Sequence, residues 1–542
     1  MIPISRGPRC PPRYAELHDA PLGRGLSRLW QPWPEIYLDL PWRVTLGRPL
    51  PLLLAWADAH RFPVRLRELE IILASPRGRL SRRRVELDLR LESPLGGAIP
   101  LELGAELDEP GLWQAWVDGR VERLPGGPGA VGQGLRFRNQ LARAFPEEPL
   151  CTRVDALPPP VLPGLVRGDP HTHSSGTRDM VEFGPPPELL RVAARALELD
   201  WFALTDHSYD LDDAADSWRR RDPALPAWQA QQAWLREAAA CPGPFALAGE
   251  ECSVGGLGGG ILHLLLLQPD KFYAGSADGG ESYLPRRPEW RLPALLEALR
   301  GTGCLPVSAH TGERPGAGER LLLRRRAWRA ADMRLLAAHQ ILSGGTGALF
   351  RAGRELWLGQ LAEGRATAIL AGGDSHGHFS LGRSVQVPGV RVGWGRGQLF
   401  GRYCSSVCLV GGSAALQPPA PGAADTRASR LLPELEAGRC LLGDGPLLWF
   451  EDDKGERHLG GELARDTRLT LRAQPLPAGG ATRHLRLWAG SATGESLVGD
   501  WMPDGQDLAF PLDSTRPDCL WLRAELRQQG AFAMTNALRL RG

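Results

Sequence analysis

The chain has 542 residues, of which 43% are hydrophobic and 23% charged, values that are typical of folded globular proteins and exclude a disordered or coiled-coil chain. Its 64 Lys and Arg residues nearly balance 62 Asp and Glu residues, which leaves a formal net charge of +2. This balance does not provide the broad basic surface that non-specific nucleic-acid binding requires.

The cysteines and the apolar runs bear on cellular location. Nine cysteines are few for this length, and no two of them form a CxxC pair. We therefore expect reduced thiols in a cytoplasmic protein. The first residues lack the apolar core of a signal peptide, and the longest apolar runs are too short to span a bilayer, so we expect no membrane association.

Alternating apolar and polar residues mark the N-terminal region. The clearest run, VELDLRLE at 85–92, is accompanied by shorter runs at 64–73 and 101–107. Side chains alternate between the two faces of a strand, so this pattern predicts half-buried β-strands. The proline-rich segment 157–164 cannot continue a helix or a central strand and marks a linker. We predict an N-terminal antiparallel β domain over residues 1–157.

Beyond the linker, helical patterns are followed by short apolar strands. Helical spacing over 188–199 precedes the apolar run 201–205, and the same succession recurs at 294–309 and 355–371. Repeated βα units build a parallel sheet or barrel. We place this α/β domain at residues 164–428.

Alternation returns after a proline-rich loop that ends near residue 427. The runs lie at 468–472, 484–488 and 520–526. They predict a C-terminal antiparallel β domain over residues 429–542.

Histidines concentrate in the βα region. Twelve occur in the chain, and eight of them lie between His171 and His378. Polar side chains also follow the apolar strands, as His207, His310 and Asp374 do. In α/β barrels the carboxyl ends of the strands share one face, where active sites are built. We therefore expect these polar side chains to meet at one mouth of the sheet or barrel.

The polar residues near these strand ends form a candidate metal-binding set. His173 lies two residues after His171, so both point to the same side of an extended strand. With the other strand-end residues the set comprises His171, His173, His207, Glu251, His263, His310, Asp374 and His376. Eight side chains exceed the four that one zinc ion uses, which favours two or three ions with bridging carboxylates.

Some residues in this region allow other interpretations. His263, inside an apolar run, is also compatible with a hydrogen-bonded core residue, and His378 fits a loop better than a ligand. Arg178 and Arg314 lie near proposed ligands and are candidates for binding an anionic substrate. An exposed arginine is equally compatible with simple solvation.

Four motifs resemble those of the PHP (polymerase and histidinol phosphatase) family of metal-dependent hydrolases. In the family's order they are GDPHTHSSGTRD at 168–179, LTDHS at 204–208, AHT at 309–311 and GGDSH at 372–376. The resemblance implies a distorted (β/α)7 barrel with two or three metal ions at the carboxyl ends of its strands. The N-terminal and C-terminal β domains would flank this barrel.

The resemblance also implies how the ligands are shared. One ion would be held by His171, His173, Glu251 and Asp374. Glu251 would also bridge toward His263 and His376. A further ion would be held by His207, His310 and Asp179. Zinc, manganese and iron are the metals that we expect for such a set.

More narrowly, the chain is similar to the CehA/McbA branch of the family. The matching segments are EAGR at 436–439, GDGP at 443–446 and TNA at 535–537. The sequence ILSGG at 341–345 departs from the acidic residue and Asn that members commonly carry there.

Together these features predict an enzyme, a phosphoesterase-like metal-dependent hydrolase of a small-molecule ester. A phosphoester is favoured by analogy with most PHP enzymes, and a carboxylic or carbamate ester is the alternative because the branch resembles a carbaryl hydrolase. His310 or a water molecule would protonate the leaving group. The rival class is a non-catalytic metal-binding or interaction protein. No nucleic-acid partner is expected.

Overall fold

A computed structural model describes residues 13–14, 33–97, 101–103, 107–141, 149–178, 184–214, 217–275, 278, 287–381, 384–387, 390–393, 398–420, 422–477, 483–502, 508–512, 518–528 and 530–541. The protein is mixed α/β and contains more strand than helix. Its chain divides into two compact units. The first comprises Met1–Pro158, His173–Glu198 and Ser375–Phe400; the second comprises Pro159–Thr172, Leu199–Asp374 and Gly401–Gly542. The three domain boundaries drawn from the sequence stay a prediction.

The first unit is built on a mainly antiparallel sheet. In hydrogen-bonded order its strands are Arg43–Thr45, Leu150–Asp155, Gly111–Arg123, Gly134–Arg138, Gln140–Leu141, Glu35–Asp39, Pro51–Ala57 and Leu95–Gly97. Val64–Ala74 pairs with both Gly111–Arg123 and Leu80–Leu91. These two pairings contain the strands that alternation predicts at 64–73 and 85–92.

Smaller elements complete the first unit. They are the strands Arg13–Tyr14, Leu101–Glu102, Ser375–His376, Ser384–Val387 and Val390–Gly393, and the helix Pro187–Ala196. The helix buries Leu189, Leu190, Ala193 and Ala194 on one face, the spacing expected for an amphipathic helix.

The second unit contains one long sheet. In hydrogen-bonded order its strands are Ala368–Ala371, Ala338–Leu342, Leu305–Ser308, Ile261–Leu267, Phe245–Gly255, Trp201–Leu204, Leu165–His173, Cys404–Cys408, Cys440–Gly443, Ala531–Thr535, Trp521–Gln528, His484–Ser491 and Gly494–Trp501. Leu538–Arg541 and Gly461–Ala464 branch from it. A separate sheet comprises Arg457–His458, Leu447–Asp452, Leu469–Gln474 and Leu508–Leu512, and Asp213–Ala214 pairs with Ser217–Arg221.

Helices pack beside this sheet. They are Ser208–Leu211, Pro226–Ala239, Leu292–Ala298, Ala330–Met333, Ala348–Ala362 and Arg427–Glu436, with a π-helix at Glu319–Leu323 and a 3-10 helix at Gly412–Leu416. Ala348–Ala362 buries Phe350, Gly353, Trp357 and Leu361 at helical spacing. None of the helices in the described part of the chain has the length and apolar character needed to cross a membrane.

The described residues do not show a closed (β/α)7 barrel. Parallel pairing joins Leu165–His173, Trp201–Leu204 and Phe245–Gly255, and separately joins the three strands from Leu305–Ser308 to Ala368–Ala371. Between these groups Ile261–Leu267 is antiparallel to both neighbours. The reason is local: Gly258, Gly259 and Gly260 all have positive φ and form a tight turn where a βα unit would have a helix.

The end strand Ala368–Ala371 binds side chains along its outer edge. Asn536 Oδ1 accepts from Ile369 N at 2.7 Å, and Asn536 Nδ2 donates to Ile369 O at 3.0 Å. Ser405 Oγ accepts from Ala371 N and donates to Ala371 O, both at 2.9 Å. Two side chains thus satisfy backbone groups that a neighbouring strand would otherwise pair.

Candidate metal centre

Six of the eight candidate ligands lie in the second unit, at or near strand ends. They are His171, His207, Glu251, His263, His310 and Asp374. Each belongs to or follows a strand of the long sheet whose apolar run ends in a polar residue. His207, His310 and Asp374 follow their strands, whereas His171, Glu251 and His263 lie within theirs.

Glu251 lies at the centre of this cluster, and four imidazole nitrogens surround its carboxylate. His263 Nδ1 is 2.9 Å and His310 Nε2 3.0 Å from Oε1. His207 Nδ1 is 3.1 Å and His171 Nε2 3.4 Å from Oε2. Glu251 is buried, and so are three of the rings, while the side chain of His310 is 16% exposed.

Asp374 adds a second carboxylate to the cluster. Its Oδ1 lies 3.3 Å from His171 Nε2, and its backbone N donates to His171 O at 2.8 Å. Asp374 and His310 both have positive φ, at 50° and 59°. Such a conformation costs a non-glycine residue about 1–3 kcal/mol and is concentrated at functional sites.

Three of the histidines are held by a polar side chain on the nitrogen that faces away from Glu251. His171 Nδ1 is 2.8 Å from Gln340 Oε1. His263 Nε2 is 3.0 Å from Asp278 Oδ2, and His310 Nδ1 is 2.7 Å from Glu313 Oε2. We call Gln340, Asp278 and Glu313 the outer partners. An acceptor on one ring nitrogen directs the lone pair of the other nitrogen toward the centre, as metal-binding histidines require.

Glu250 and Glu251 face opposite sides of their strand, as neighbouring strand residues do. Glu250 accepts hydrogen bonds from Tyr273 N at 3.0 Å and Ser208 Oγ at 3.2 Å. Burial raises the pKa of Glu250 well above its ordinary value. The structure therefore brings Glu251, not its neighbour, to the histidines.

Neighbouring charges within the cluster shift the pKa values of its groups. Burial alone would raise the pKa of Glu251, but His263, His171 and His207 lower it well below its ordinary value. Burial alone would lower the pKa of His310, but Glu313 and Glu251 raise it well above its ordinary value. The site therefore stabilises a carboxylate anion by positive charge at the surrounding nitrogens, and a divalent cation supplies such charge.

The other two candidate ligands lie in the first unit. The buried rings of His173 and His376 stack with centroids 3.9 Å apart. His173 Nδ1 is 2.9 Å from Thr177 Oγ1. His378 Nδ1 accepts from His376 N at 3.2 Å, a loop contact that agrees with its interpretation as a loop residue. Asp39 Oδ2 and Oδ1 accept from the backbone N of residues 379 and 380, each at 3.1 Å.

The positions of the other predicted site residues, Asp179, Arg178 and Arg314, say less about the site. Asp179 lies outside the described residues. Arg178 is half-buried in the first unit, and Arg314 is exposed in the second.

A cleft beside the cluster is lined by His263, His310, Glu313, Arg325 and Trp328, among others. Arg314 is not among its lining residues.

Sequence reasoning missed the outer partners. Gln340 had a detectable signal, because it is a polar residue inside the buried strand Ala338–Leu342. Glu313 follows His310 by three residues, which is compatible with a local contact. Asp278 lies in a polar, glycine-rich segment 15 residues after His263, and nothing in the sequence connects the two.

The donor set fits divalent metal ions. Imidazole nitrogens and carboxylate oxygens are the ligands of zinc and related transition metals. His207, Glu251 and His263 each offer a ligand atom, and these atoms lie within 4.8 Å of one another. The second unit is thus part of an α/β protein with a buried histidine and carboxylate cluster suited to metal binding. No family model matches the chain, and no curated protein matches it.

Proposed function

We propose that this protein is a metal-dependent hydrolase with a multinuclear centre of the PHP type, in the CehA/McbA branch. The observation that carries the proposal is the arrangement around Glu251, where His171, His263 and His310 each turn one nitrogen toward the carboxylate and the other toward an outer partner. A cluster built only for stability has no need to aim four imidazoles at one buried carboxylate.

The proposal includes the finer features expected from the sequence. The βα strands of the second unit would correspond to the distorted (β/α)7 barrel, with the β-rich regions on either side. His173, His376 and Asp179 would complete the ligand set, and two or three zinc, manganese or iron ions would be bound. A cytoplasmic location, expected from the sparse cysteines, belongs to the same proposal.

Bound divalent ions would lower the pKa of a water molecule and polarise the ester that it attacks. The chain's own residues would orient these groups. Glu251 faces His310 with Oε1 and His207 with Oε2, so each of its oxygens could bind a different ion. His310 lines the cleft with its Nδ1 beside Glu313, and in this proposal His310 or a water molecule would protonate the leaving group.

The cleft supports a small-molecule substrate. Its lining includes His263 and His310 of the cluster. Arg325 lines it and favours an anionic group such as a phosphoester. A carboxylic or carbamate ester is the second candidate, because Glu313 and Glu319 line the same cleft and would disfavour a highly charged substrate.

The test compares two neighbouring glutamates. Glu251→Gln removes the charge at the centre, so we expect it to lower metal content by at least one ion and hydrolysis by roughly 100-fold or more. Glu250→Gln is the matched control, because Glu250 lies on the same strand and its raised pKa favours the neutral form that Gln mimics. It should retain metal and activity.

Metal would be measured by elemental analysis after loading with zinc, manganese or iron. Activity would be measured on aryl phosphomonoesters, phosphodiesters, carboxylic esters and carbamates. Equal metal content and activity in the two variants would contradict the site. Metal binding without turnover of any ester class would favour the non-catalytic alternative.

A further inference from the structure

Asp278 makes contacts that connect the metal centre to the cleft. Its side chain is fully buried. Oδ2 lies 3.0 Å from His263 Nε2 and 2.6 Å from Arg325 Nε, and Oδ1 accepts a hydrogen bond from Ser253 Oγ. These partners occupy both oxygens, so Asp278 is not itself arranged as a metal ligand.

The charge of Asp278 decides the tautomer of His263. Arg325 Nε donates to Oδ2 at 2.6 Å and Ser253 Oγ donates to Oδ1, so both oxygens of Asp278 accept hydrogen bonds, as a carboxylate paired with an arginine does. A carboxylate only accepts hydrogen bonds, so His263 Nε2 must carry the proton. Nδ1, which faces Glu251 Oε1 at 2.9 Å, is then the nitrogen left to bind a metal ion.

We infer that Asp278 is a positioning residue that fixes the tautomer and orientation of His263 for metal binding and holds Arg325 at the wall of the substrate cleft. The inference rests on the proposed metal centre. Asp278 has both roles because the same oxygen, Oδ2, contacts both His263 and Arg325.

The chain contains a matched control for this role. Asp332 is also fully buried, and both of its oxygens lie 2.8 Å from the guanidinium of Arg326, the next residue after Arg325. It also accepts from Leu257 N at 2.8 Å. Asp332 thus makes the same kind of ion pair in the same unit, and its hydrogen bonds involve no histidine.

The experiment compares Asp278→Asn with Asp332→Asn in the full-length chain. Each variant is titrated with Co²⁺, and the visible absorption of the bound ion and the melting temperature are recorded. Both substitutions should lower the melting temperature by similar amounts. Asp278→Asn alone should weaken Co²⁺ binding about 10- to 100-fold and change the absorption spectrum, because an amide can also donate and no longer fixes the tautomer.

Equal Co²⁺ affinity and spectra in the two variants would overturn the inference while leaving the metal centre intact. A wild-type protein that binds no Co²⁺ would overturn both. If Asp278→Asn does not fold, the tautomer of His263 can be measured directly in the wild type. The ¹⁵N spectrum of zinc-loaded protein with labelled histidine is recorded, and the His263 signals are assigned by comparison with His263→Gln. A proton on Nε2 supports the inference, and a proton on Nδ1 contradicts it.

Discussion

The cluster around Glu251 and a hairpin of the second unit both bring a histidine close to carboxylates, and they differ in what the carboxylates do. Around Glu251 the carboxylate is buried and its oxygens face imidazoles. In the hairpin of Leu447–Asp452 and Arg457–His458, three ligand atoms of Asp452, Glu456 and His458 also lie within 4.8 Å. There Asp452 Oδ1 accepts from the backbone N of Lys454 and Glu456, so it caps the turn.

The difference teaches that proximity of ligand atoms is not enough to indicate a metal site. At the hairpin Glu456 is exposed, and Asp452 is explained by turn chemistry. At the centre Glu251 and three of the rings are buried, and outer partners select which nitrogen of His171, His263 and His310 faces inward. We therefore interpret the first cluster as a metal centre and the second as a stabilised turn.

The largest effect should separate the two clusters. His171→Ala and Asp374→Ala each remove a ligand of the centre, so we expect loss of at least one metal ion and roughly 1,000-fold lower kcat/KM on the ester that the wild type hydrolyses. His458→Ala should leave both unchanged. Elemental analysis and steady-state kinetics check this, and circular dichroism verifies folding. Metal loss in His458→Ala, or full activity in the other two, would reverse the comparison.

A smaller effect should test whether orientation matters. Gln340→Leu removes the acceptor of His171 Nδ1, so metal affinity should fall about 10- to 100-fold. Gln360→Leu is the matched control, because Gln360 is an equally buried glutamine whose Nε2 lies 3.2 Å from His339 Nε2. It should cost stability alone, about 1–3 kcal/mol. Competition titrations with a chromophoric chelator measure the affinities, and equal affinities would show that the outer partner is dispensable.

The smallest effect concerns His339, a histidine buried without a carboxylate. Ser308 Oγ lies 2.8 Å from its Nδ1, and burial together with Arg365 lowers its pKa to about 3. Between about pH 6.5 and 3 the unfolded chain binds this proton and the folded chain does not. Stability should therefore fall as the pH decreases below 6.5, with a slope from this residue approaching about 1.4 kcal/mol per pH unit.

His339→Gln should make that pH dependence shallower than in the wild type. Urea unfolding at pH 7.5, 6.5, 5.5 and 4.5 measures the slopes. The same slope in wild type and His339→Gln would show that His339 is not the neutral core residue that its contacts indicate.

The sequence predicted the strand ends of the site better than the way in which the strands pair. His207, His310 and Asp374 each follow an apolar strand, and the change from an apolar run to a polar residue can be recognised in the sequence. The antiparallel direction of strand Ile261–Leu267 was not predicted. The apolar pattern of a buried strand is the same whether a glycine turn or a helix connects it to the preceding strand. The pairing of Leu165–His173 with Cys404–Cys408 is also non-local and has no sequence signal.

The residue types of the candidate site could be predicted from the sequence, whereas the orientation of its side chains could not. Histidine spacing and strand position single out the histidines, and the spacing of the PHP motifs selects Glu251 over Glu250, whereas the contact of Asp278 with His263 joins residues 15 positions apart that no sequence pattern connects. The grouping of His173 and His376 with Met1–Pro158 in one compact unit was also not expected. It depends on contacts such as that of Asp39 with residue 379, which are 340 positions apart.

The outer edge of strand Ala368–Ala371, which binds the side chains of Asn536 and Ser405, has a consequence for the order of folding. Asn536, which pairs with both backbone groups of Ile369, lies 167 residues further along the chain. During synthesis the strand that leads to Asp374 therefore emerges long before its edge can be completed. Until then its open edge is free to pair with another chain. The metal centre should accordingly mature late, and nascent chains that stop before residue 536 should be prone to aggregation.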